Sequence, residues 1–96
     1  MALYTIITRY GGDEYVDQIK GSNERAALKA WAEGTDTKNI RGFGQSSKQT
    51  LIKEVLDRDN PCVKVDGAKN VWRMAALVRG KIVMITVIRT EGRRGS

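Results

Sequence analysis

Between Lys81 and Arg89 the chain carries apolar side chains on both alternations of an extended backbone. Val83, Ile85 and Val87 occupy one alternation; Ile82, Met84 and Ile88 occupy the other. Successive side chains of a strand point to opposite faces, so a strand over residues 82–90 is apolar both ways. A strand of that kind is normally covered on both faces. It belongs inside a sheet, and the rest of the chain has to supply its two covers.

The neighbouring segments supply the sheet. Residues 71–78 place Trp72, Met74, Ala76 and Val78 on one wholly apolar face, and Arg79, Gly80 and Lys81 form a tight turn into the final strand. At the other end of the chain, residues 3–10 are rich in β-branched and aromatic side chains and read as a strand. Gly11, Gly12 and Asp13 form a turn, because glycine takes positive φ without steric cost. A second strand over residues 14–20 sets Tyr15, Asp17 and Ile19 against Val16 and Gln18 on its two faces. A short strand over residues 62–66 and a turn over residues 67–70 complete the extended segments.

Two helices lie between them. Ser22 and Asn23 are both N-cap residues, and Glu24 suits the positive end of a helix dipole. The helix runs to Glu33 with Ala27, Leu28, Ala30 and Trp31 as its apolar stripe, and Gly34 ends it. Ser46 or Ser47 is the expected cap of a second helix reaching Asp57, with Leu51, Ile52, Val55 and Leu56 as its buried face. Asp59, Asn60 and Pro61 break it.

The order is ββααβββ. It indicates an α+β fold with a mostly antiparallel five-stranded sheet and two helices on one face. Two short helices do not cover both faces of five strands. Ile82, Met84 and Ile88 are therefore expected to pack on a second copy of the chain, since large exposed apolar patches mark interfaces. The competing reading has sheet curvature and the loop over residues 35–45 cover the excess.

A length of 96 residues supports one core and one domain over residues 1–90, with residues 91–96 as a flexible basic tail. The longest apolar run, residues 82–88, falls far short of the roughly 20 residues a membrane-spanning helix needs. The first residues lack the basic region and cleavage site of a secretory signal, so a cytoplasmic protein with no membrane partner is expected. The single cysteine, Cys62, excludes an internal disulfide and reads as a small buried hydrophobe. The net charge is +6, with nine Lys/Arg against eight Asp/Glu in residues 1–58 and eight against three in residues 59–96. A basic excess of this kind favours anionic partners.

Histidine is absent. That removes Ser-His-Asp and Cys-His nucleophilic systems and the commonest transition-metal ligand. With one cysteine a structural zinc site is out as well. The carboxylate pairs Asp13 with Glu14 and Asp57 with Asp59 fall at turns, where solvated acids are ordinary. Gly11 and Gly12 join two strands, whereas a phosphate-binding loop joins a strand to a helix. No catalytic residue, metal ligand or cofactor is nominated.

Three resemblances accompany this reading. Arg41, Gly42, Phe43 and Gly44 are similar to the opening of the RNA-recognition-motif signature, in which aromatics on a strand stack bases; the continuation Gln45, Ser46, Ser47 departs from it. The glycine-turn hairpin followed by Ser22, Glu24 and residues 26–28 resembles the N-terminal half of HicB-type antitoxins, which bind a small toxin. In size and lack of motifs the chain is also similar to the small orphan proteins of bacterial mobile gene cassettes.

The functional expectations rank accordingly. First stands a non-enzymatic protein-interaction module that self-associates through Ile82, Met84 and Ile88. Second is nucleic-acid or other anionic-ligand binding through Arg41, Phe43, Arg73, Arg79, Lys81 and Arg89, with Tyr10, Tyr15 and Trp72 as further stacking aromatics. Third is a small-molecule pocket or enzyme site under the loop over residues 35–45, walled by Trp31 and Trp72.

Overall fold

A computed structural model describes residues 2–34 and 44–90. The chain runs β1 (Ala2–Tyr10), β2 (Asp13–Gly21), α1 (Glu24–Gly34), α2 (Gln45–Leu56), β3 (Val63–Lys64), β4 (Val71–Val78) and β5 (Lys81–Arg89). This is the α+β architecture expected from the pattern. All strand pairings are antiparallel, in the spatial order β2-β1-β5-β4-β3. The two-sided apolar strand β5 lies between β1 and β4, which gives both of its edges a partner.

Both hairpins turn through two residues with positive φ, the twist that suits the right-handed coil of paired strands. Gly11 and Gly12 take φ of 62° and 86°, and Arg79 and Gly80 take 53° and 76°. The first turn fixes the register Tyr10 to Asp13, Thr8 to Tyr15 and Ile6 to Asp17. Pairing of β1 with β5 then sets Ile6 against Val87 and Thr8 against Ile85.

That register sorts every strand residue onto one of two faces. Ala2, Tyr4, Ile6 and Tyr10 of β1, Met74, Ala76 and Val78 of β4, and Val83, Ile85 and Val87 of β5 are buried on the same side. α1 packs there against β2, β1 and β5, and α2 packs against β4 and α1. α1 contributes Ala27, Leu28, Trp31 and Ala32, while α2 contributes Leu51 and Val55. Leu56, expected in the buried face of α2, is instead open to solvent at the last turn of the helix.

The helix ends follow local chemistry. Asn23 caps α1: its Oδ1 accepts from the Ala26 N–H at 2.8 Å, a contact of about 1 kcal/mol in typical hosts. Gly21 lets α1 approach the sheet, because a Cβ there would lie 2.7 Å from the Ala27 nitrogen. α2 begins two to three residues earlier than the serines had suggested. Its N-cap is Gly44, with no side-chain cap hydrogen bond. Ser47 lies in the first turn and is fully buried, and the Ser46 hydroxyl accepts from Arg79 Nη1 at 3.3 Å. At the other end Arg25 Nη2 donates to the Leu56 carbonyl at 3.3 Å.

β3 is shorter than expected, with only two residues, and it pairs only with Arg73 and Trp72. The remaining free edge of β4 is closed by side chains. Asn60 Nδ2 donates to the Ala75 carbonyl at 2.9 Å, and the Leu77 N–H donates to Glu54 Oε1 at 3.2 Å. Satisfying exposed ladder groups in this way blunts an edge against unwanted strand pairing.

Candidate interaction face

Both helices lie on one side of the sheet, so among the described residues no layer covers the other side. Its residues follow from the register. One row across the strands reads Val16, Ile7, Thr86, Arg73 and Val63; the next reads Glu14, Arg9, Met84 and Ala75. Leu77 and Ile82 form a further pair at the hairpin end. Val16, Val63, Leu77 and Ile82 are 61%, 63%, 58% and 62% exposed, and Met84 is 37% exposed. Of the large apolar side chains open to solvent among the described residues, only Leu56 lies elsewhere. Singly scattered hydrophobes are ordinary on a protein surface; this set is gathered on one face.

Polar groups interrupt the face at defined places. Arg9 Nε and Glu14 Oε2 form a salt bridge at 3.0 Å, with both side chains at least half exposed. A solvated pair of this type contributes about 0–1 kcal/mol and weakens with salt. Gln18 Nε2 donates to Thr5 Oγ1 at 3.1 Å, and the hydroxyls of Thr5 and Thr90 lie 3.1 Å apart. Ile7, Arg9, Glu14, Arg73, Met84 and Thr86 enclose a shallow open depression of about 350 Å³. Its lining is mixed, and Arg73 has no hydrogen-bond or salt-bridge partner among the described residues.

Ile82, Met84 and Ile88 all lie on this face, with Ile88 half-buried. The nominated cations are spread over the molecule. Arg73 stands within the helix-free face. Arg79 lies in the β4–β5 turn and Lys81 follows it, with the Lys81 ammonium 5.9 Å from the centre of the Tyr10 ring. Arg89 pairs with Tyr4 in register and so projects on the helix side at the far end of β5. Arg41 and Phe43 lie outside the described residues, as does most of the loop over residues 35–45.

The two tryptophans belong to the core. Trp31 is buried and its Nε1 donates to Asp17 Oδ2 at 3.0 Å. Trp72 is half-buried and tilts against Tyr4, with ring centroids 6.2 Å apart. Neither lines the depression on the helix-free face. Cys62 is half-buried against the core. Burial pushes its thiol pKa up, the nearby Glu24 carboxylate adds to the rise, and a backbone hydrogen bond and Arg25 oppose it less strongly. The thiol is therefore held protonated, the opposite of what a reactive cysteine needs.

Among the described residues no group of three or more Cys, Asp or Glu side chains is placed to hold a metal ion, and no helix is long and apolar enough to cross a membrane. No protein-family model matches this chain, and neither the curated proteins nor the solved structures contain a significant match to it.

Sequence reasoning missed Val16, Val63 and Leu77 as members of the face, and Arg9 with Glu14 as its ion pair. The strand pattern places Val16 on the face opposite Tyr15, and the structure agrees. Relating it to Ile82 required the non-local pairing of β1 with β5.

Proposed function

We propose that this chain is a protein-interaction module whose helix-free sheet face packs on a second copy of itself. The observation that carries the reading is the gathering of Val16, Val63, Leu77, Ile82 and Met84, all open to solvent, on the side of the sheet that neither described helix covers. Taking a large aliphatic side chain fully out of water is worth about 1.5–3 kcal/mol. Association costs roughly 4–15 kcal/mol in lost freedom. One or two such residues are too few, but a two-fold interface buries the whole set twice.

The footprint is adequate. Four strands spaced about 4.8 Å apart and about eight residues long, at about 3.4 Å each, cover on the order of 500 Å² per copy. The pair then reaches the region of about 1,000 Å² that separates specific interfaces from incidental contacts. Multi-angle light scattering on wild-type protein over a concentration series tests the reading. It predicts twice the 10.7 kDa chain mass at high concentration; a constant mass of one chain contradicts it.

Nucleic-acid or anion binding ranks behind. Arg73, the Arg79–Lys81 turn and Arg89 do not line up as a stripe that follows a phosphate backbone. Fluorescence anisotropy with labelled DNA and RNA across a salt series checks this order: micromolar binding that falls steeply with salt reverses it.

A further inference from the structure

This inference rests on the reading of the helix-free face as a self-association surface and specifies how the two copies meet. We infer that they stack with their two-fold axis along the strands, so that Arg73 of each copy is neutralised by the partner's Glu14.

The argument starts from the positions of the charges. Across the face in the order β2-β1-β5-β4, Arg73 lies on β4 at one side and Glu14 on β2 at the other, one row apart. Face-packed sheets keep their strand directions within about 30° and their backbones about 10 Å apart. A two-fold axis lying between the sheets then has two simple orientations. Perpendicular to the strands, it leaves β4 over the partner's β4. With the axis through its row, Arg73 meets the partner's Arg73, and β2 brings Glu14 towards its own copy. Parallel to the strands, the axis exchanges the two sides of the sheet and sets β4 over the partner's β2.

In the second orientation Arg73 faces the row of the partner's Val16, with the partner's Glu14 two residues along the same strand, about 6.8 Å away. Long side chains such as Arg and Glu span that offset. The chemistry of both groups fits. Glu14 uses Oε2 for Arg9 and leaves Oε1 without a hydrogen bond among the described residues, so one carboxylate serves both guanidiniums. Arg73 makes no hydrogen bond or ion pair among the described residues. It shares its depression with Ile7, Met84 and Thr86 and with the Arg9–Glu14 pair, whose two charges already answer each other, so a further counter-charge is needed once water is excluded. The same orientation lays β5 over the partner's β1, setting Thr86 against the partner's Ile7.

The test is a charge exchange between copies, read by sedimentation equilibrium at moderate salt. Arg73→Glu places two acids at each contact and Glu14→Arg places two cations there. Each variant alone should self-associate at least tenfold more weakly than wild type. An equimolar mixture should recover near-wild-type affinity, because each mixed pair again joins Arg to Glu at both contacts. Misfolding of either variant gives no such recovery, so recovery reports the contact itself. If both variants keep wild-type affinity, or the mixture fails to recover, the arrangement is overturned. Ile82→Lys separates the two levels: dissociation by this change together with indifference to the charge variants leaves the face in place and removes only the orientation. A wild-type protein that stays monomeric removes both.

Discussion

Ile82 and Val83 are chain neighbours on β5, yet Ile82 is largely open to solvent and Val83 is fully buried. The strand's alternation puts Val83 under the helices, opposite Ala76, and Ile82 on the face away from them, opposite Leu77. The two positions therefore answer to different events. Val83→Ala removes buried methyl groups and should cost about 1–3 kcal/mol of folding stability, as large-to-small core changes do. Ile82→Ala should stay within about 0.5 kcal/mol in dilute protein, where the copies are apart. Urea denaturation of both variants checks the contrast, and equal losses contradict the assignment of faces.

Thr8 gives a prediction in the stabilising direction. Its side chain is 1% exposed on the helix side of β1, and its hydroxyl has no hydrogen-bond partner among the described residues. A buried polar atom without a partner costs about 1–3 kcal/mol, and valine keeps the β-branched shape that suits a strand. Thr8→Val should raise stability by about 1 kcal/mol and increase the melting temperature by several degrees. A loss of stability means that the hydroxyl is satisfied, by water for instance.

Trp31 anchors α1 to β2 through its indole N–H and the Asp17 carboxylate. Trp31→Phe keeps most of the apolar volume and deletes the donor, so the cost should be about 1–2 kcal/mol. Asp17→Asn retains an acceptor and should cost less than Asp17→Ala. Thermal unfolding of the three variants, followed by far-ultraviolet circular dichroism, tests that order.

Cys62 is predicted to be sluggish. Its pKa is raised in the folded state, chiefly by burial, so folding favours the protonated thiol. The sign follows directly: the stabilisation is complete below the unfolded thiol pKa of about 8.5 and is lost as pH rises through the higher folded value. Iodoacetamide alkylation near pH 8 should therefore be several times slower for native than for urea-unfolded protein. The fall in stability above about pH 8.5 should be shallower in Cys62→Ala. Equal alkylation rates in the two states contradict the burial argument.

Much of this fold was legible from local pattern. The β-branched runs of β1 and β5, the Gly11–Gly12 turn, the Asn23 cap and the alternation that singled out Ile82, Met84 and Ile88 each depend on residues close in sequence. The strand order was not legible, because β1 pairs with β5 across some eighty residues and no local signal encodes that contact. The start of α2 was misjudged for a related reason. Ser46 and Ser47 look like caps, but tertiary contacts recruit the first to Arg79 and bury the second, leaving Gly44 at the helix end. The ion pair of Arg9 with Glu14 emerges only once a two-residue turn fixes the hairpin register.

The central claim is that the sheet face away from the two helices is where copies meet. Sedimentation equilibrium of wild type, Ile82→Asp and Leu56→Asp tests it most directly, because Leu56 is also an exposed aliphatic side chain but lies on α2, away from that face. The account predicts that wild type and Leu56→Asp form dimers with similar affinity while Ile82→Asp remains monomeric up to about 1 mM, a bound that leaves less than about 4 kcal/mol for association. Dimers of Ile82→Asp as tight as wild type, or a wild type that never associates over the same range, would contradict it.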